Sequence, residues 1–195
     1  MAVPPTLAFH AITQDFPQPG GGTLRVLDGL SFDVPPGRFV SVIGPSGCGK
    51  STLLQMAAGL LFPTGGQVSH RGARVAAVNR DVGFVPQQAQ LLPWKTLMEN
   101  VAFPLVLRGV GLDERTRRAQ AAIARVDLQG FERHYPYQLS GGMQKRAAIA
   151  RTLVYGPDVI LMDEPFGALV RFAGVPAPAG SGEGTLWTNR FNEPG

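Results

Sequence analysis

Positions 44–51 read Gly44-Pro45-Ser46-Gly47-Cys48-Gly49-Lys50-Ser51, and Thr52 follows. Immediately before them, Phe39-Val40-Ser41-Val42-Ile43 reads as a short buried strand. Immediately after, residues 50–58 have helical character, with apolar Leu53, Leu54, Met56 and Ala57 and with Gly59 placed to end the helix. Strand, glycine loop and helix in that order point to an α/β domain. The loop also fits the spacing G-x-x-x-x-G-K-[ST]. Its glycines let backbone N–H groups turn inward around a phosphate chain with no Cβ in the way. The helix N-terminus behind the loop favours anions through its free N–H groups and its dipole. A lysine at position 50 supplies a point charge for β- and γ-phosphates, and the Ser51 hydroxyl completes a Mg²⁺ shell. The alternative is a glycine-rich turn that matches by chance, and the strand and helix on either side favour nucleotide binding. The expected nucleotide contacts are therefore Gly44, Pro45, Ser46, Gly47, Cys48, Gly49, Lys50, Ser51 and Thr52. Cys48 is expected to contribute its backbone N–H, its side chain being a bystander.

The rest of the composition excludes several classes. A chain of 195 residues with 44% hydrophobic and 16% charged residues suits one folded domain with a buried core. No apolar run approaches the ~18 residues that span a bilayer, and residues 1–10 lack the pattern of a secretory signal. An intracellular location, or attachment to a membrane through a partner, is the expectation. The single cysteine leaves no internal disulfide and no multi-cysteine metal site. His10, His70 and His134 show no ligand spacing. The net charge of +4 is spread along the chain, and its one cluster, Arg115, Arg117 and Arg118, reads as the solvated face of a helix.

Residues 7–12 and 24–34 read as strands separated by a Pro/Gly-rich loop at 17–22, and Val82 to Val85 as another short strand. Residues 92–125 turn helical, with interruptions expected at Pro93, Pro104 and the 109–111 turn. Ser140 is placed to cap a helix running to about Tyr155, where Gly156-Pro157 ends it. Val159-Ile160-Leu161-Met162 reads as a strand buried on both faces, and Asp163-Glu164-Pro165 follows. A buried parallel strand presents its C-terminal residues to the crevice where ligands bind in such sheets. Asp163 is thereby positioned to hold Mg²⁺ and Glu164 to act as general base toward a water. A solvated strand end is the alternative for this pair taken alone.

Leu139-Ser140-Gly141-Gly142-Met143-Gln144, with Lys145-Arg146-Ala147-Ala148-Ile149-Ala150-Arg151 behind it, resembles the signature segment of ABC ATPases. As physics, Ser140 caps a helix whose first N–H groups Gly141 and Gly142 leave bare, a second anion site on one chain. The resemblance implies a P-loop NTPase fold of the α/β class, with a RecA-like core and a helical subdomain at about 91–155. It also implies ATP and Mg²⁺ as cofactors and a head-to-tail dimer in which Ser140, Gly141 and Gly142 of one subunit face the γ-phosphate held by the other. Gly83-Phe84-Val85-Pro86-Gln87 resembles the segment ending in the Q-loop glutamine. By that resemblance Gln87 contacts Mg²⁺ or the attacking water, and Gln88 is the neighbouring candidate. Phe16 falls where the family stacks an aromatic on adenine. Leu91-Leu92-Pro93-Trp94-Lys95-Thr96-Leu97-Met98-Glu99-Asn100-Val101 resembles the flank found in importers of nitrate, sulfonates and taurine. Trp94 itself reads as a core or subdomain-boundary aromatic, with direct partner contact as the alternative.

The resemblance stops inside a motif. After Phe166-Gly167-Ala168-Leu169 the family continues with an aspartate that crosses the dimer, and this chain has Val170. The segment from Arg171 to Gly195 has five glycines and three prolines and no recognisable strand ending in the family's histidine. It is expected to be poorly ordered, and Thr185-Leu186-Trp187-Thr188 is not expected to fill the slot of the missing strand between the phosphate-loop strand and the acidic one. A truncated gene or shifted frame after Leu169 accounts for so abrupt a change, and resequencing tests it. The expected organisation is an ABC ATPase domain over 1–169, incomplete at its C-terminal end, locally right and globally compromised, with a tail over 170–195 outside the family pattern. The resemblance implies an ATP-hydrolysing, energy-coupling subunit of a solute importer. Its implied partners are transmembrane permease subunits, a second ATPase subunit and, indirectly, a solute-binding protein, on the cytoplasmic side of the membrane. The alternatives are a remnant that binds nucleotide weakly without turnover, or an ABC protein acting on nucleic acid or ribosomes. The importer flank argues against the last, and no nucleic acid is expected.

Overall fold

The computed structural model describes residues 4–163 and 186–187. Glu164, Val170 and the remainder of the 170–195 tail lie outside them. The described residues fall into two compact units, divided after Arg80, with 186–187 belonging to the first.

The first unit is built on β1 (Leu7–Pro17), β2 (Thr23–Val34), β4 (Gly65–His70) and β5 (Ala73–Arg74), an antiparallel sheet in the order β2-β1-β4-β5. β1 pairs with β2 from Leu7↔Val34 to Pro17↔Thr23, with irregularities between Phe9 and Asp15. Phe9 stacks on Phe32 with ring centroids 4.4 Å apart. Leu7, Ile12 and Leu27 of this sheet are fully buried, as are Leu53 and Met56 of α1 (Lys50–Ala57). Gly59 follows α1 in a left-handed conformation, φ 68°, and a Cβ there would collide with the Ala77 carbonyl.

The expected buried strand at 39–43 is shorter and more exposed than its composition suggests. Only Ser41–Val42 is strand (β3), paired in parallel with Leu186–Trp187 (β8). Phe39 is 72% and Ile43 48% exposed. A parallel strand is covered when strands and helices flank it on every side, and among the described residues β3 has one two-residue ladder. Leu186–Trp187 pairs with β3 alone among the described residues, and no described ladder joins it to the strand Val159–Met162.

The second unit joins β6 (Val82–Val85) and β7 (Val159–Met162), paired in parallel from Val82↔Val159 to Val85↔Met162. Gly83 lets helix and strand approach, because a Cβ there would press on Thr152 and Pro157. β7 is not buried on both faces: Leu161 is buried, whereas Ile160 is 37% exposed. Three helices, α2 (Leu97–Leu107), α3 (Leu112–Arg125) and α4 (Gly141–Leu153), share one core containing Val85, Leu97, Val101, Leu105, Ile123 and Ile149. α2 runs through Pro104 where an interruption was expected. The missing N–H removes one ladder bond, and burial of Val101, Ala102 and Leu105 around it holds the helix. The first N–H groups of α2, which no helical turn can satisfy, find carbonyls in a neighbouring loop: Leu97 donates to His134 and Met98 to Glu132.

Arginines close the helix ends. Arg118 of α3 donates to the carbonyl of Val154, the C-cap of α4, at 2.8 Å. Arg146 of α4 donates to the carbonyls of Val126, the C-cap of α3, and Asp127 at 2.9 and 3.1 Å. Cations near a helix C-terminus also favour its dipole. The basic cluster on α3 is therefore a solvated face only in part. Arg117 pairs with Glu114 in solvent at 2.6 Å, while Arg118 is a structural donor. No described helix is long and apolar enough to cross a membrane.

Candidate functional site: a phosphate loop, a parallel-strand edge and a capped helix

In the first unit the glycine loop leads from β3 into α1. Gly47 and Gly49 hold φ of 82° and 94°, a region in which side-chain-bearing residues are strained. Around Gly47 an added Cβ would meet nothing within 4 Å, whereas at Gly49 it would lie 2.8 Å from Leu27 Cδ2. One glycine thus faces open space and the other sits against the core. Gly49 is also the N-cap of α1, and no side chain caps this helix. An uncapped helix start behind a left-handed loop presents bare N–H donors, the arrangement anions seek. Lys50 folds over the loop, its Nζ donating to the carbonyls of Gly44 at 2.9 Å and Pro45 at 2.7 Å, with Cys48 Sγ at 3.8 Å. The Cys48 side chain is thus in the lysine's neighbourhood, closer to the site than the bystander expected of it. Ser51 and Thr52 occupy the first turn of α1. Phe16 is half-buried near the end of β1, opposite Leu24.

In the second unit, parallel pairing brings the expected metal and water ligands to one edge. The Asp163 N–H donates to the Val85 carbonyl at 3.0 Å, extending the ladder by one residue. Asp163 and the segment Pro86-Gln87-Gln88 thereby leave the same C-terminal end of β6 and β7. Gln87 and Gln88 are exposed and Asp163 is half-buried. Glu164 lies outside the described residues.

The signature segment forms a capped helix start. Ser140 is the N-cap of α4 with extended backbone, and its Oγ accepts from the Met143 N–H at 3.3 Å. Gly141 and Gly142 form the first turn, and a Cβ added at Gly141 would meet nothing within 4 Å. Gln144, whose part the sequence does not disclose, anchors the entry from inside the helix. Its amide donates to the carbonyls of Pro136 at 2.8 Å and Leu139 at 3.1 Å.

Trp94 is 70% exposed, so the expectation of a core aromatic is overturned. The turn that displays it is held from below by Asn100, which is fully buried. Asn100 accepts from the Leu92 N–H at 2.8 Å and donates to the carbonyls of Leu92, Lys95 and Thr96 at 2.9–3.1 Å. Trp94, six residues before Asn100, lies in this turn with its side chain exposed.

A left-handed glycine loop with its lysine, an uncapped helix start and an acidic parallel-strand edge define a P-loop nucleotide-binding domain of the α/β class. The chain belongs to the ABC transporter family, whose model matches residues 27–167. It is 50% identical over 149 residues to an uncharacterized ABC transporter ATP-binding protein of Methanocaldococcus jannaschii, covering 76% of this chain and 56% of that protein. It is 48% identical over 149 residues to the taurine import ATP-binding protein of Rhizobium johnstonii, covering 76% and 57%. It is 44% identical over 151 residues to the aliphatic sulfonates import ATP-binding protein of Bacillus cereus, covering 77% and 59%. The chain thus spans little more than half the length of these relatives. Among solved structures, a dimeric ATP-binding cassette in a post-hydrolysis state bound to ADP and Pi superposes with a TM-score of 0.77 at 36% identity, covering 84% of this chain and 75% of that one.

Proposed function

We propose that this chain is the ATP-binding, ATP-hydrolysing and energy-coupling part of an importer for small sulfonates of the taurine kind. The observation that carries the nucleotide reading is the loop itself: Gly47 and Gly49 in left-handed conformations, an uncapped α1 behind them and Lys50 tied to loop carbonyls. A triphosphate fits this cradle, because it offers Lys50 stronger, charge-assisted acceptors than the carbonyls it now holds. The choice of sulfonate rests on the relatives named above and on the flank that displays Trp94.

Residues 1–169 form the ATPase domain in this reading, with a helical subdomain over about 91–155. Gly44 through Thr52 cradle the phosphates, and Phe16 supports the base. Ser51, Gln87 and Asp163 are the oxygen donors that would hold Mg²⁺, a hard-cation set. Bound there, Mg²⁺ neutralises charge developing on the transferred phosphoryl group. In this reading Glu164 orients and deprotonates the attacking water, and Gln87 assists it. Ser140, Gly141 and Gly142 offer bare N–H groups to the γ-phosphate held by a second subunit. The exposed Trp94 faces a transmembrane permease subunit on the cytoplasmic side of the membrane, and the solute-binding protein acts only through that permease. A second reading, nucleotide binding without turnover, is favoured by Val170 standing where the family has aspartate.

Binding of a fluorescent ATP analogue, followed by phosphate release, separates these. Wild-type chain binds Mg-ATP, and Lys50→Ala weakens binding at least ~10-fold, about 1.4 kcal/mol. Equal binding by the two would sink the nucleotide reading, and binding without phosphate release would select the second. Co-purification with nucleic acid in place of a permease would remove the importer.

A further inference from the structure

Beyond Thr13, where its pairing with β4 ends, β1 has β2 alone as a ladder neighbour among the described residues. Asp15 opposes Arg25 there and Phe16 opposes Leu24, but Gln14 opposes Leu27. Val26 is therefore an extra residue on β2, a bulge of the kind that re-aims side chains beside functional sites. Val26 and Leu27 both lie against the phosphate loop: a Cβ built at Gly49 would be 3.0 Å from Val26 Cγ1 and 2.8 Å from Leu27 Cδ2. Successive residues of a strand point to opposite faces. Phe16 thus shares the face of Gln14 and of this bulge, and Asp15 and Arg25 occupy the reverse.

On that reverse face Arg25 brackets the bulge. Its Nε and Nη2 donate to the two Asp15 oxygens at 3.0 and 3.3 Å, across the strands. Its Nη1 donates to Asp28 Oδ1 at 3.2 Å, along β2 and past Val26 and Leu27. The bond from Arg25 holds the Asp15 carboxyl below the usual aspartate range. An isolated exposed ion pair contributes little, whereas a two-pronged arginine–carboxylate pair within a network fixes geometry. The turn that follows supplies no comparable anchor, since a Cβ at Gly20, Gly21 or Gly22 would meet nothing within 4 Å.

We propose that Arg25 is a positioning residue for the nucleotide base: by closing the bulge from behind, it fixes the offset between the Phe16 platform and the phosphate loop against which Val26 and Leu27 lie. The proposal rests on the reading of Phe16 and of residues 44–52 given above. Arg25 touches no part of the nucleotide in this arrangement, its guanidinium being on the far face of the sheet. One ligand spans both points, so a loosened corner lowers affinity through the base and leaves the phosphate contacts intact.

Titration of the full chain with Mg-ATP, in a double-mutant cycle with Phe16, tests this. Arg25→Gln raises Kd about 3-fold, and Arg25→Lys, a point charge in place of a fork, lies between. In a Phe16→Ala background Arg25→Gln changes Kd by less than ~1.5-fold, because the platform it aligns is gone. Should Phe16→Ala fail to fold, Phe16→Leu carries the cycle. An unchanged Kd in Arg25→Gln, or an equal effect in both backgrounds, would overturn the proposal and leave Arg25 a surface ion pair. Backbone ¹⁵N relaxation without nucleotide reads the tie independently. The amides of Phe16 and Val26 stand near the rigid order parameter of ~0.85 in wild type and fall below ~0.6 in Arg25→Gln, with α1 unchanged. Unaltered amides at Phe16 and Val26, or loosening spread through α1, would also overturn it. Absence of Mg-ATP binding in the wild-type chain would instead sink the nucleotide reading, and the relaxation measurement alone would then decide the tie.

Discussion

Asn100 applies both ends of its amide to one turn of backbone, residues 92–96, from a fully buried position on α2. Replacing it by Leu keeps the volume roughly constant and strands the Leu92 N–H and the Lys95 carbonyl, whereas the carbonyls of Leu92 and Thr96 keep backbone partners. The loss is about 2–3 kcal/mol, read as a lower urea midpoint with an unchanged m-value. A loss under ~0.5 kcal/mol would show that water replaces the amide without penalty. Residues of this kind are hard to see in a sequence, because their partners are main-chain atoms that carry no side-chain signature. Arg118 and Arg146 are hidden in the sequence for the same reason. The phosphate loop was legible because its chemistry restricts residue type at every step: glycine for left-handed φ, lysine for charge, serine for a hydroxyl. Trp94 is a misleading signal in the sequence, since its size argues for burial, whereas the structure leaves it exposed.

At the level of elements, α2 gives the sharpest case. Thr96 caps it, with its Oγ1 accepting from the Glu99 N–H and Glu99 accepting in return from the Thr96 N–H at 2.8 Å and the Thr96 hydroxyl at 3.0 Å. The Thr96 backbone N–H, then its hydroxyl, hold the Glu99 carboxyl below the usual glutamate range. A depressed carboxylate contributes stability that is complete above its unfolded value, about 4.3, and is lost as pH falls through its lower folded value. Wild-type chain should therefore lose this contribution below about pH 4.3, and Glu99→Gln should lack that component of the pH dependence. Thr96→Ala should cost about 1 kcal/mol at pH 7 in urea denaturation. Equal pH profiles for wild type and Glu99→Gln would refute the carboxylate's share. In the sequence Thr96 and Glu99 stand within the importer-like flank, and their three-residue spacing is the signal that discloses the capping box. The antiparallel sheet was only half legible. β1 and β2 show apolar runs, but β4 opens with Gly65-Gly66 and closes with Ser69-His70, a composition that reads as loop until β1 pairs with it. β3 and β7 read as fully buried because apolar composition reports what a strand is suited to, whereas burial depends on which neighbours it has.

At the scale of the whole chain, Mg-ATP should stabilise the protein by mass action. At a ligand concentration 100 times Kd the gain is ~2.7 kcal/mol, seen as a raised melting midpoint that Lys50→Ala abolishes. A single cooperative melt shifted in this way would reject the expectation of a globally compromised fold. No shift at saturating Mg-ATP would reject nucleotide binding by this chain. The family and its fold class were legible in the order of the motifs, and the helical core of α2, α3 and α4 in their spacing. The two arginine caps, Arg118 on Val154 and Arg146 on Val126 and Asp127, also limit how such a chain can be recombined. Each of α3 and α4 carries the terminator of the other, so a chimera that exchanges one helix for one without its arginine leaves the end of the retained helix open. The segment from Leu112 to Val154 is the smallest block that can be exchanged between relatives with both ends closed.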